Sequence, residues 1–178
     1  MNAKQATIFC AASEQIDPKY NLAAQALARA LHQRGYTLVS GGGKVGTMGA
    51  VTRESVRCGG RHIAVLPRFM QGLENPEVSE VVWTDTMSAR KERMREGSSV
   101  AIALPGGIGT LDELMETHVL RKLGQFSGKV IALNLDGFYE PLKALLEHYV
   151  ATGMMQRADA GLLQFPNSVE ELLALLDA

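Results

Sequence analysis

Apolar residues along the chain follow two rhythms. Short bursts of consecutive apolar positions alternate, from end to end, with longer segments in which apolar residues recur at three- and four-residue spacing. The bursts are Thr7 to Cys10, Tyr36 to Val39, His62 to Leu66, Val78 to Trp83, Val100 to Leu104 and Val130 to Leu133. Consecutive apolar positions imply burial on both faces, so the bursts predict six strands of a mostly parallel sheet. The intervening segments predict helices over 20–34, 48–58, 87–96, 111–123, 139–152 and 169–176. The first carries apolar residues at 22, 23, 26, 27, 30 and 31 and stops at Gly35, a residue suited to a left-handed cap. Such alternation predicts a three-layer α/β/α sandwich, a doubly wound sheet whose ligands bind outside the carboxyl ends of the strands. Pro67 to Pro76 reads as a surface loop, and no repeat or linker divides residues 1–178, which are expected to form a single domain.

Composition narrows the functional classes. The chain has 178 residues, 46% of them hydrophobic, and 18 Lys plus Arg stand against 19 Asp plus Glu. That near-neutral balance argues against a nucleic-acid partner, which would call for a basic excess. No stretch approaches the roughly 20 apolar residues of a membrane span, and the first residues lack the apolar core of a secretion signal. Two cysteines, Cys10 and Cys58, make neither a disulfide scaffold nor a zinc site with four scattered histidines, so a cytoplasmic protein without a metal is expected. Small anionic ligands remain.

Two glycine-rich turns fall at the carboxyl ends of predicted strands. Ser40 to Gly49 (SGGGKVGTMG) follows the second, and Pro105 to Thr110 (PGGIGT) follows the fifth. Each opens a helix, whose first amides are unpaired and lie at the positive end of its dipole, and glycine lets an anion come close. The turns read either as tight strand-to-helix connections or as a phosphate cradle. Neither matches the dinucleotide fingerprint or the Walker loop.

Two charged groups sit near them. Thr110-Leu111-Asp112-Glu113 reads as a capping box in which Glu113 reaches back to an orphan amide, as Ser168 to Glu171 does before the last helix. Alternatively, a carboxylate beside a phosphate cradle is there for chemistry. Arg90-Lys91-Glu92-Arg93-Met94-Arg95-Glu96 reads as a solvated helix face, with room for one or two cations to turn inward and bind phosphate. Cys10 reads as a buried small apolar residue, and Met48 and Met87 as candidates to line a base pocket.

At this point the motifs resemble a known family. Pro105 to Glu113 matches every fixed position of the P-G-G-x-G-T-x-x-E motif of the LOG family, the cytokinin riboside 5′-monophosphate phosphoribohydrolases once labelled lysine decarboxylases. Gly41 to Gly49 resembles its G-G-G-x-x-G-L-M-G, Met87 to Lys91 its M-H-x-R-K, Cys10 to Ser13 its C-G-S-S and Asn134 to Tyr139 its N-x-D-G-[FY]-Y. The resemblance implies a Rossmann-like homodimer that cleaves the N-glycosidic bond of nucleoside 5′-monophosphates without metal or organic cofactor. It implies Arg90 and Glu113 as the catalytic pair. Substrate contacts would come from Ser13, Gly42, Lys91, Gly106, Gly107, Ile108, Gly109, Thr110 and Asp112. Thr47 replaces the leucine of the family's glycine motif, and Ser88, Ile108 and Val119 to Gly124 depart from the family pattern around the base and the dimer-facing helix. Ile108, Val119 and Leu120 would give the base apolar contact. A carrier that binds its ligand without hydrolysing it is the alternative on the same fold.

Overall fold

The computed structural model describes residues 4–178. Its strands are β1 (Lys4–Phe9), β2 (Tyr36–Ser40), β3 (His62–Pro67), β4 (Glu80–Thr84), β5 (Val100–Ala103), β6 (Lys129–Ala132) and β7 (Leu163–Gln164). The helices are α1 (Pro18–Gln33), α2 (Gly46–Arg57), α3 (Met87–Arg95), α4 (Ile108–Lys122), α5 (Glu140–Ala151), α6 (Arg157–Ala160) and α7 (Val169–Asp177). All strands join one sheet in the order β4-β3-β2-β1-β5-β6-β7. Every pairing is parallel, with Ala6 of β1 opposite Leu38 on one side and Val100 on the other. The architecture is thus the doubly wound α/β fold that the apolar rhythm implies.

Alternate residues of the central strands feed two cores. Ala6, Ile8, Leu38 and Ile102 pack with Leu27, Leu31, Val51 and Leu172 of α1, α2 and α7. Phe9, Val39, Val65 and Ala103 pack with Met94, Leu114 and Leu146 of α3, α4 and α5 on the opposite face. Burying a leucine or phenylalanine contributes roughly 1.5–3 kcal/mol. Double-sided burial is why β1, β2, β3 and β5 read as unbroken apolar runs.

Three expectations are corrected. The sheet has a seventh strand and the chain a short helix, α6, before it; Leu163–Gln164 is too short for any periodicity to register. In α1 the buried face is Ala24, Leu27, Ala28 and Leu31, while Leu22 is exposed. The alanines, counted as equal to leucine in a stripe, in fact choose the face, because their small size lets α1 approach α2. Third, α4 starts at Ile108, one turn earlier than the apolar periodicity indicates, because Gly107 is its N-cap.

The chain winds outward from β1 to β4, then crosses back to β5 on the other side of β1. Strand order therefore reverses between β1 and β5, and the turns that leave these two strands diverge. The crevice this leaves at their carboxyl ends is where doubly wound proteins place ligands. No helix among the described residues is long and apolar enough to cross a membrane.

Candidate active site

The crevice between β1 and β5 holds a cavity of about 320 Å³, lined by Cys10, Ala11, Ala12, Ser13, Met48, Arg90, Gly107, Gly109, Thr110 and Glu113. Four separate stretches of sequence meet here, and local hydrogen bonds explain how. The Thr110 hydroxyl donates to the Cys10 carbonyl at 3.1 Å, tying the start of α4 to the end of β1. On the other side the Ala11 amide donates to Thr47 Oγ1 at 2.8 Å, and the Met48 amide donates to the Ala11 carbonyl at 3.1 Å. Thr47, a departure from the family pattern, is fully buried and satisfies a main-chain amide. Tyr139 donates its hydroxyl to the Leu104 carbonyl at 2.7 Å, anchoring the turn where it leaves the sheet.

Arg90 and Glu113 meet in this cavity. Thr86 caps α3 by accepting from the Ala89 amide at 3.1 Å, which starts the helix so that Arg90 turns inward. Its Nε donates to the Val65 carbonyl at 2.9 Å and its Nη1 to Glu113 Oε1 at 3.2 Å. Arg90 is 7% exposed and Glu113 6%. Burial pushes the Glu113 carboxyl up to about 7, Arg90 opposing the rise and Asp112 adding to it. Such a group exchanges a proton near neutral pH while a permanent cation touches it. Burial, with help from Glu113, raises the Cys10 thiol, which donates to the Ile8 carbonyl and is no nucleophile.

The capping-box reading of Thr110 and Glu113 is overturned. Thr110 lies inside α4, its hydroxyl is spent on Cys10, and Glu113 faces Arg90. At α7 the motif does cap, with Ser168 Oγ accepting from the Glu171 amide and Glu171 accepting from the Asn167 amide. Equal spelling gives different roles because α4 begins three residues before the place the box requires.

Gly107, Gly109, Thr110 and Ser13 line the cavity, whereas Gly106 does not and packs against the Thr110 side chain. The other candidates are placed elsewhere. Lys91 Nζ is 2.9 Å from both Asp112 and Glu116, so it and Asp112 neutralise one another between α3 and α4. Arg95, another inward cation, adds a bridge to Glu116 at 3.2 Å; only its place in the charged run hinted at it. Gly42, at φ +69°, packs on β3, where a Cβ would lie 2.3 Å from that of Ala64. Ile108 is 82% exposed and does not line the cavity. Val119 and Leu120 do not line the cavity; by the helix rise they lie about 9–10 Å farther along α4 than Glu113, which does. Met48 lines the cavity and Met87 does not.

A larger open depression of about 740 Å³ is lined by Ser88, Arg95, Glu116, Leu120 and Phe126 among others. There Arg95 is paired with Glu116 and the other acids, Glu92 and Glu96, are exposed, whereas the smaller cavity holds a buried acid of raised pKa at the strand-order reversal, and is the candidate site. No group of three His, Cys, Asp or Glu side chains among the described residues is placed to hold a metal ion.

Comparison with known proteins bears on family and fold. The profile of a family described as "possible lysine decarboxylase" matches residues 48–176. A cytokinin riboside 5′-monophosphate phosphoribohydrolase of Arabidopsis thaliana is 35% identical over 173 residues, 96% of this chain and 81% of that protein. One of the same name from Mycobacterium tuberculosis is 35% identical over 168 residues, 93% of this chain and 89% of its own. Among solved structures, the molybdenum cofactor binding protein of Rippkaea orientalis superposes with a TM-score of 0.77 at 24% identity, over 99% of this chain and 97% of that one. That last likeness is one of fold.

Proposed function

The chain belongs to the LOG family, and from that premise we propose that it hydrolyses the N-glycosidic bond of nucleoside 5′-monophosphates to free base and ribose 5-phosphate. The observation that carries the reading is the buried contact of Arg90 with a carboxyl poised near neutrality. It sits beside a turn whose glycines have room for a ligand. A Cβ built on Gly107 or Gly109 meets nothing within 4 Å. Neither has a positive φ. Nothing in the protein itself therefore demands glycine at either position, whereas a phosphate on the first amides of α4 would.

In this reading the phosphate binds the amides of Gly107 to Thr110 and the ribose lies toward Glu113. As the bond from C1′ to the base breaks, positive charge spreads over C1′ and the ring oxygen, and the carboxylate stabilises it. Water adds to C1′ and gives a proton to Glu113, which can return it to the departing base. Arg90 holds the carboxyl in place and balances its charge. The atoms close as nucleotide plus water giving base plus ribose 5-phosphate, with no further cofactor. A decarboxylase that forms a Schiff base would need a lysine at the cavity, and none lines it among the described residues.

We further propose that two copies associate through α4. Ile108, Val119 and Leu123 are exposed at 82%, 50% and 61%, and with half-buried Leu111 and Met115 they form one stripe along the helix. Light scattering should return twice the 19.2 kDa chain mass.

The enzyme assay is chromatographic. Purified protein given AMP should release adenine, and given adenosine should do so at least tenfold more slowly, because remote phosphate binding positions the scissile bond. Glu113→Gln should bind AMP with turnover lower by roughly 10²–10⁴-fold, the usual share of an acid–base group. Equal rates on AMP and adenosine would refute the phosphate argument. Tight AMP binding with no base released from any nucleotide would establish a carrier instead.

A further inference from the structure

Arg90 has a third neighbour. Its Nε donates to Val65 and its Nη1 to Glu113, while Nη2 lies against the first glycine turn. A Cβ built on Gly41 would fall 2.1 Å from Nη2 and 3.3 Å from Cζ of Arg90, with the Met48 methyl at 3.2 Å. No main-chain atom is among those nearest contacts. Gly41 does not have the positive φ of Gly42 and Gly46, so its backbone accepts alanine. The missing side chain at this position is space occupied by a guanidinium.

We infer that Gly41 is a positioning residue for the reaction, and that the turn after β2 is the seat of the Arg90 guanidinium, not a second phosphate cradle. The inference rests on the proposed reading of Arg90 and Glu113 as the reacting pair. Three sides fix the planar head: the Val65 carbonyl, the Gly41 Cα and the Glu113 carboxylate. The first two are main chain and cannot rotate away, so the head has one place to be when Glu113 is ready to react. A methyl group on Gly41 would leave the turn's backbone in place and push out its nearest neighbour, the arginine, with the Met48 methyl giving by a few tenths of an ångström at most. The charged and titratable groups facing Glu113 are Arg90, Lys91 and Arg95 from α3, Asp112 from α4 and the Cys10 thiol after β1. Of these, Arg90 is the one among the nearest contacts of a Cβ at Gly41.

Gly41→Ala tests this with two readouts. Adenine release from AMP should fall about 10²-fold, the scale expected for ångström-sized misplacement of a catalytic group, with KM changed much less. Independently of any activity, ¹³C NMR of labelled glutamate, with Glu113 assigned through Glu113→Gln, should show its midpoint moving above about 7 as the opposing cation withdraws. Arg90→Ala should raise the same midpoint, and adding Gly41→Ala to it should move the midpoint no further, since the two act through one group. If Gly41→Ala alone fails to fold, the double variant with Arg90→Ala should fold, because the clash is gone. Wild type that releases no base while the midpoints behave as described removes the proposed reaction and leaves the seat standing. An unmoved midpoint in Gly41→Ala, or a further rise in the Arg90→Ala background, overturns the seat.

Discussion

The two glycine-rich turns are spelled alike, and each leads from a buried strand into a helix, yet they differ in what surrounds their glycines. Around the first, Arg90 fills the space at Gly41, Ala64 that at Gly42, Met48 that at Gly43 and the Ala11 and Ser13 main chain that at Gly46. Around the second, Thr110 fills the space at Gly106, but nothing fills it at Gly107 and Gly109. The first turn is glycine-rich because other parts of the protein press on it. The second has open space at Gly107 and Gly109, and in the proposed function that surplus is where the phosphate approaches. The buried titratable groups differ in step. Below the first turn His62 Nε2 and Ser40 Oγ are 2.8 Å apart, and Ser40 in turn accepts from the Gly42 amide. Below the second lies Glu113.

Alanine at each turn should break or sharpen the contrast. Gly42→Ala combines a positive φ with a contact 3.2 Å from the Ala64 Cα, so main chain must move. It should destabilise the fold by about 2–5 kcal/mol, summing the left-handed penalty and overpacking, a large drop in thermal midpoint. Gly109→Ala should do the opposite to stability. Its site is open and helical, so alanine should stabilise by up to about 1 kcal/mol. AMP affinity in the same protein should fall about tenfold, equivalent to about 1.4 kcal/mol. A Gly109→Ala variant with unchanged AMP affinity would mean that its open space serves no ligand.

A third contrast is in pH dependence, where the two turns pull oppositely. Burial, aided by His32, lowers His62 to about 4. Between its folded value and its ordinary value of 6.5 only the unfolded chain binds that proton, so this group makes stability rise with pH. Glu113, raised from 4.5 to about 7, is protonated in the folded chain and ionised in the unfolded one over that window, so it makes stability fall with pH. Thermal midpoints measured between pH 4.5 and 6.5 should therefore climb more steeply with pH in Glu113→Gln than in the parent. Parallel curves would mean that Glu113 titrates alike in both states.

Much of this was legible in the sequence because double-sided burial writes itself as unbroken apolar runs, which gave six of the strands and the crevice at their ends. The motif residues Arg90 and Glu113 were legible as a pair only through the family resemblance, since 23 positions separate them. What stayed hidden depended on geometry that residue type does not encode. Lys91 looks as available as Arg90, but one position of helical rotation turns it from the cavity to Asp112 and Glu116. Thr110 looks like a cap, and only the earlier start of α4 makes it a tether to Cys10. Val65 contributes through its carbonyl, which no side chain announces. The roles of Gly41 and Gly107 could be told apart only once their neighbours were in view.

The division of labour between the turns is tested most directly by a crystal structure with AMP bound. The phosphate should lie on the amides of Gly107, Ile108, Gly109 and Thr110, with the ribose toward Glu113 and the Arg90 guanidinium still against Gly41. A phosphate seated on the amides of Gly41 to Gly43, with Arg90 displaced to meet it, would contradict the account.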